Sequence, residues 1–147
     1  MRKNIEIGTN LMEFQASAAT PFLYKHLFKE DLFRAERKLT EKKDELQKIK
    51  KAIEEAKASG NAVQLTDEQT AMTLEYNEEA GELIRRLAYI MHMEATHNEQ
   101  DIWKELELPK YIAFLMNING GDITANFAAL YEVYQSGAIS ASRPKNA

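Results

Sequence analysis

The chain is predicted to be mainly α: a long antiparallel helical hairpin with several shorter packed helices and a small N-terminal β-hairpin. Three observations predict it. Apolar and polar residues alternate on both sides of Gly8-Thr9-Asn10, which is the period of paired strands. From Leu32, apolar residues return at Leu39, Leu46 and Ile53 in steps of seven, the period of a helix with a narrow seam. Beyond Thr96 the apolar runs are short and punctuated by Asn98, Pro109 and Gly120-Gly121, as in a series of brief helices.

The elements follow in order. Residues 3–16 form the β-hairpin, with Ile5 and Ile7 on one strand and Met12 and Phe14 on one face of the return strand. Thr20 is expected to cap a helix that begins at Pro21, where proline has no helical N–H to lose. Helices then occupy residues 21–96, including a charged hairpin arm over about 36–72. Gly60, within Ser-Gly-Asn, ends the first long helix, and Thr66 with Gln69 fits the capping box that opens the second. Tyr76, Ala80, Leu83, Leu87 and Ile90 give the second helix its seam, broadened by Ile84 and Met91, so its C-terminal half is expected to be the more deeply buried. Apolar residues are few between Leu39 and Met72, and that end is expected to project as a thin, polar coiled coil.

Short helices are expected over 98–137. Asn98 caps the first, through Trp103 and Leu106, and Pro109 begins the next. Gly120-Gly121-Asp122 breaks and recaps the chain, and Ile123, Phe127, Leu130, Tyr131, Val133 and Tyr134 form one last helix ending at Ser136-Gly137. Residues 1–139 are read as a single domain. The end of the chain, with its small side chains and Pro144, is expected to be disordered from Ala138, and 140–147 is read as a flexible tail.

Composition limits the function classes. At 147 residues, 44% hydrophobic and 29% charged, the chain has the size and make-up of one globular domain. Its longest nearly uncharged stretch, Tyr111 to Asn119, falls far short of a bilayer span, and without an N-terminal apolar run preceded by basic residues export by a signal peptide is not expected. The absence of cysteine excludes disulfides and thiolate metal sites and suits a reducing cytoplasm. A net charge of −4 argues against nonspecific nucleic-acid binding. The lysines from Lys38 to Lys57 are interleaved with Glu41, Asp44-Glu45 and Glu54-Glu55, the pattern of a solvated helix face.

No catalytic or metal constellation can be assembled. His92 and His97 are five residues apart, which turns them roughly 140° away from each other on a helix. Glu75, Glu78, Glu79 and Glu82 share helical spacings but lack the Glu-x-x-His pairs of a di-iron bundle. Gly120-Gly121 lacks the Lys-Ser or Lys-Thr of a phosphate loop. The expectation is a non-enzyme without metal or cofactor.

Bulky and flexible apolar residues remain on short helices that can each bury one stripe. Phe22, Phe28, Met91, Met93, Trp103, Phe114 and Met116 are the candidate partner-binding residues, with the methionines adaptable to varied partners and Trp103 an anchor beside Asp101 and Glu105. Leu39, Leu46 and Ile53 are the candidate self-association seam.

The hairpin, the Ala18-Ala19-Thr20-Pro21 entry to the first helix, and Tyr24, Leu27-Phe28 and Asp31-Leu32 resemble the start of the tail assembly chaperones of long-tailed bacteriophages and prophages. The resemblance continues at Leu83 to Ala95 (LIRRLAYIMHMEA) and Asp101 to Leu108 (DIWKELEL), covering roughly half of the chain. It implies a protein of the bacterial host cytoplasm, not retained in the mature virion. Such a protein coats the hydrophobic helical tape-measure protein and keeps it soluble while the tail tube assembles. In this family a frameshifted longer form recruits tail tube subunits, and the tail at 140–147 is where such a fusion would attach. The charged stretch from Arg34 to Lys57 has no residue-by-residue counterpart in the family pattern. The alternative expectation is a cytoplasmic coiled-coil adaptor or self-association module unrelated to phage; a DNA-binding regulator using the lysines ranks behind both. A homo-oligomer is compatible with either leading reading, and the sequence does not fix the number of subunits.

Overall fold

The structure, a computed structural model, describes residues 2–61 and 63–139. Strands β1 (Arg2–Ile7) and β2 (Asn10–Gln15) form an antiparallel hairpin in which Ile7 faces Asn10 and Ile5 faces Met12. The two-residue loop needs a positive φ at its first position, and Gly8 supplies it at 63°. Ile5, Ile7, Met12 and Phe14 are all buried, so one face of the ribbon is core, as the alternation required.

Seven α-helices follow among the described residues: α1 (Thr20–Phe28), α2 (Leu32–Ala58), α3 (Asp67–Thr96), α4 (Ile102–Glu105), α5 (Leu108–Asn117), α6 (Gly120–Ala125) and α7 (Phe127–Tyr134). A π-helical turn, Gln135–Ile139, closes the described chain. The mainly α class with its small hairpin is thereby established. The described residues fall into two compact units, one made of residues 2–32 and 81–139, the other of the described residues from Phe33 to Ala80.

The first unit, here called the body, holds the core. The C-terminal part of α3 belongs to it, with Ile84, Leu87, Ile90 and Met91 fully buried, as are Phe14, Tyr24, Ile123, Leu130 and Tyr134 elsewhere in the unit. Aromatic rings link the layers: Tyr89 packs edge-on against Tyr111 and Phe114, and Phe28 against Tyr111. The His92 imidazole sits near Phe14 and Phe114, and its Nδ1–H donates to the Glu13 carbonyl at 2.8 Å, joining α3 to the outer edge of β2.

The second unit, the hairpin, is built differently. Its α2 portion and the first half of α3 are antiparallel, with Lys42 Nζ 3.0 Å from Glu75 and 2.7 Å from Glu79. Every apolar residue of its seam, including Leu39, Leu46, Ile49, Ile53, Met72 and Tyr76, is only half-buried, and no described residue from Phe33 to Ala80 is fully buried. The helix ends match their sequence signals. Asn61 N–H donates to Ala56 O and Gly60 N–H to Lys57 O, the paired bonds of a Schellman motif, with Gly60 at φ 82°. Thr66 and Gln69 exchange reciprocal bonds at 3.0 and 3.1 Å, a complete capping box. Near this end a shallow open groove is lined by Ile49, Ala52, Ile53 and Val63 with polar Lys48, Gln64, Thr66 and Gln69.

Three local expectations are corrected. Thr20 does not cap α1: its hydroxyl donates to Glu94, and the cap position falls on Ala19, whose methyl side chain has no acceptor to offer. The last helix is not continuous; the Asn126 side-chain amide donates to Asp122 O and its backbone leaves helical angles, dividing α6 from α7. Nor does the ordered chain stop at Gly137. The π turn continues through buried Ala138, and Gly137 lies so close to Ala16 that a Cβ there would stand 2.3 Å from its carbonyl oxygen. The tail at 140–147 lies outside the described residues.

Candidate partner-binding surface

Helix α5 has two faces of opposite fate. Tyr111 and Phe114 turn inward to the aromatic cluster, while Leu108, Ile112 and Met116 are exposed, Met116 by 82%. Spaced i, i+4 and i+8, these three form a stripe centred roughly 130° around the helix from the buried face. Pro109 sits in the first turn, and Lys110 donates to the Lys104 carbonyl at 2.7 Å, fixing the start of α5 against α4. The Ile118 N–H bonds Phe114 O where the helix ends. The stripe is thus presented on a helix tethered at one end and packed along its opposite side.

A second exposed apolar feature lies on α1 and α4. Phe22 is 74% and Trp103 51% exposed, and the Trp103 indole packs perpendicular to His26, one turn after Phe22 on α1. Asn98 does not cap α4, whose cap residue is Asp101 and which ends at Glu105; the Asn98 side chain instead accepts from the N–H groups of Gln100 and Asp101 and holds the turn before the helix.

The candidate residues therefore separate. Phe22, Trp103 and Met116 are exposed and free of the core. Met91, at 0% exposure, Met93 and Phe114 are buried, so their expected role in partner binding gives way to packing. Of the three methionines expected to stand outside the core, Met116 on α5 does so, whereas Met91 and Met93 on α3 are buried and serve packing. Phe28 is half-buried and its ring is occupied, with Tyr24 at 5.1 Å and the Arg86 guanidinium 4.8 Å above it. Leu108 and Ile112 were missed. Their i, i+4, i+8 spacing with Met116 is the sequence signal for the stripe, opposite the inward Tyr111 and Phe114.

Two polar networks order this unit. Arg86 bonds Glu30 at 3.1 Å and pairs with Glu82, beside Tyr24, whose hydroxyl burial pushes up to about 12 although Arg86 opposes the shift. Glu94 receives the Ser17 hydroxyl at 2.7 Å and the Thr20 hydroxyl at 2.6 Å, one on each carboxylate oxygen. Burial raises the Glu94 carboxyl above its usual range, with the two hydroxyl donors pulling the other way. Ser17 N–H in turn donates to fully buried Thr20 Oγ1, so the network locks the β2 to α1 connection onto α3.

Among the described residues no group of three or more His, Asp or Glu side chains is placed to hold a metal ion, and no helix is long and apolar enough to cross a membrane. No family model matches the chain, and neither does any curated protein or solved structure.

Proposed function

We propose that this chain is a tail assembly chaperone of a long-tailed bacteriophage or prophage, a non-enzymatic protein that binds the helical tape-measure protein in the host cytoplasm. The observation that carries this reading is the Leu108, Ile112 and Met116 stripe, an apolar face left open on a well-packed helix. A second amphipathic helix laid along it would bury its own apolar stripe by the i, i+4, i+8 logic of helix-in-groove recognition. Phe22 and Trp103 add aromatic anchors of the type that dominates binding energy. The resemblance of residues 4–32, 83–95 and 101–108 supplies the identity of the client. Recruitment of tail tube subunits would belong to a longer, frameshifted product.

The test is co-expression with the long helical protein encoded nearby. The unaltered chain should keep that client in the supernatant after sedimentation, and Ile112→Glu/Met116→Glu should leave it in the pellet while circular dichroism of the variant is unchanged. Retained client solubility in the double variant would refute the reading.

A second reading, a self-association module working through Leu39, Leu46 and Ile53, is favoured by the hairpin's lack of any fully buried seam residue. Leu46→Asp separates the two. It should dissociate an adaptor, and it should leave client binding by a chaperone intact.

A further inference from the structure

The free edge of the β-hairpin carries a pattern that client binding does not use. Closure over the two-residue Gly8-Thr9 loop makes Ile7 and Asn10 a hydrogen-bonded pair. Alternation then points the backbone groups of Lys3, Ile5 and Ile7 at β2, and those of Arg2, Asn4 and Glu6 away from it. The other edge obeys the same count, since the Glu13 carbonyl, outward by this reckoning, accepts from His92. The middle of the β2 edge is therefore already bonded to α3 through His92. Among the described residues no hydrogen bond reaches the outward backbone groups of Arg2, Asn4 and Glu6.

We propose that β1 is the contact strand of a homodimer, a second copy adding its own β1 antiparallel about a two-fold axis through Asn4. The side chains select this register. Arg2, Asn4 and Glu6 share one exposed face. Centring the pair on Arg2 sets arginine against arginine, and centring it on Glu6 sets glutamate against glutamate; like charges directly opposite are unfavourable. Centring on Lys3 or Ile5 leaves one of the charges without a partner. Only the Asn4 centre uses all three outward residues of both copies, with Arg2 opposite Glu6 of the partner subunit and Glu6 opposite Arg2 of the partner subunit. Arg2 also lies 3.6 Å from Glu13 of its own hairpin, so its guanidinium would sit between two carboxylates. Because the middle of the β2 edge is already bonded to His92, addition stops at two copies rather than growing into a fibre.

The chain has no cysteine, which makes a single introduced thiol diagnostic. Opposed hydrogen-bonded residues hold their Cα atoms about 5.5 Å apart, within disulfide reach. Asn4→Cys should therefore oxidise to a covalent dimer. Glu6→Cys should not, because its two copies would lie roughly 13 Å apart along the strands. Equal cross-linking at both positions, or none at either, would overturn the proposal. In sedimentation of the full chain at high micromolar concentration a dimer is expected. Asn4→Pro, which deletes an outward N–H and leaves the hairpin's own ladder intact, should give a monomer with an unchanged circular dichroism spectrum. Arg2→Glu should dissociate the dimer and Arg2→Glu/Glu6→Arg restore it. A dimer that survives Asn4→Pro would refute strand pairing, and it does so whether or not the α5 stripe binds a client.

Discussion

Leu87 and Leu46 are the same side chain on the seams of two long helices, yet Leu87 is wholly buried in the body and Leu46 half-exposed in the hairpin. The contrast extends to everything around them. In the body, helices, a β-ribbon and aromatic rings enclose each seam residue from several directions. In the hairpin two helices face only each other, so part of every seam side chain stays in water, with a capping box at one end and the exposed Lys42 bridges between the helices. A helix seam becomes a core only when a third element covers it. The hairpin should accordingly open locally at a free energy well below that of global unfolding.

The largest test of this contrast is truncation at the two leucines. Leu87→Ala should cost about 2–5 kcal/mol in urea unfolding, and Leu46→Ala about 1 kcal/mol, since little cavity forms at an already wet seam. Comparable losses at both sites would erase the distinction.

Next comes the polar lock of the body. Glu94→Ala strands the hydroxyls of Ser17 and fully buried Thr20 and should cost about 1–3 kcal/mol at neutral pH. Its pH dependence has a definite sign. Because burial raises the folded-state pKa above the unfolded one, the stability linked to protonated Glu94 is fully present below the unfolded pKa and is lost as pH rises through the folded pKa. Relative to Glu94→Gln, the unaltered protein should gain stability as pH falls from neutral through that window, which denaturant titrations at several pH values would reveal.

A smaller effect is expected at the capping box. Thr66→Ala should cost about 1 kcal/mol, seen as faster amide exchange in the first turns of α3 with little change in the body. Smallest is Lys42→Ala: its ammonium is held by Glu75 and Glu79, which raise its pKa, but the site is open to solvent. Any loss should vanish as salt is added, and a loss that persisted would mean the bridge is more enclosed than it is.

Legibility in the sequence follows the same division. The capping box at Thr66, the Schellman glycine at Gly60, Pro109 in the first turn of α5 and the Ile5/Ile7/Met12/Phe14 face were readable because each depends on neighbours within a few residues. Thr20 misled, since a hydroxyl before proline reads as a cap, and its true partner Glu94 is distant in sequence. The same distance effect hid the fate of Met91, Met93 and Phe114: spacing shows that a residue is on a face, and only the tertiary fold shows what covers that face. Leu108 and Ile112 are the instructive omission, because their exposure follows from the period of α5 once Tyr111 and Phe114 are recognised as its inner side.

The seven-residue repeat of Leu32, Leu39, Leu46 and Ile53 has a consequence for how such chains can diverge. Each heptad drifts only about 20° from a straight seam. Seven residues added to α2 and seven to the facing part of α3 would lengthen the hairpin by about 10 Å and leave every body contact in register. Insertions of three or five residues would instead swing charged side chains into the seam. Hairpin length is thus a free variable counted in whole heptads, and related chains should differ here by paired multiples of seven while their strands, α5 and the end of α3 keep constant length.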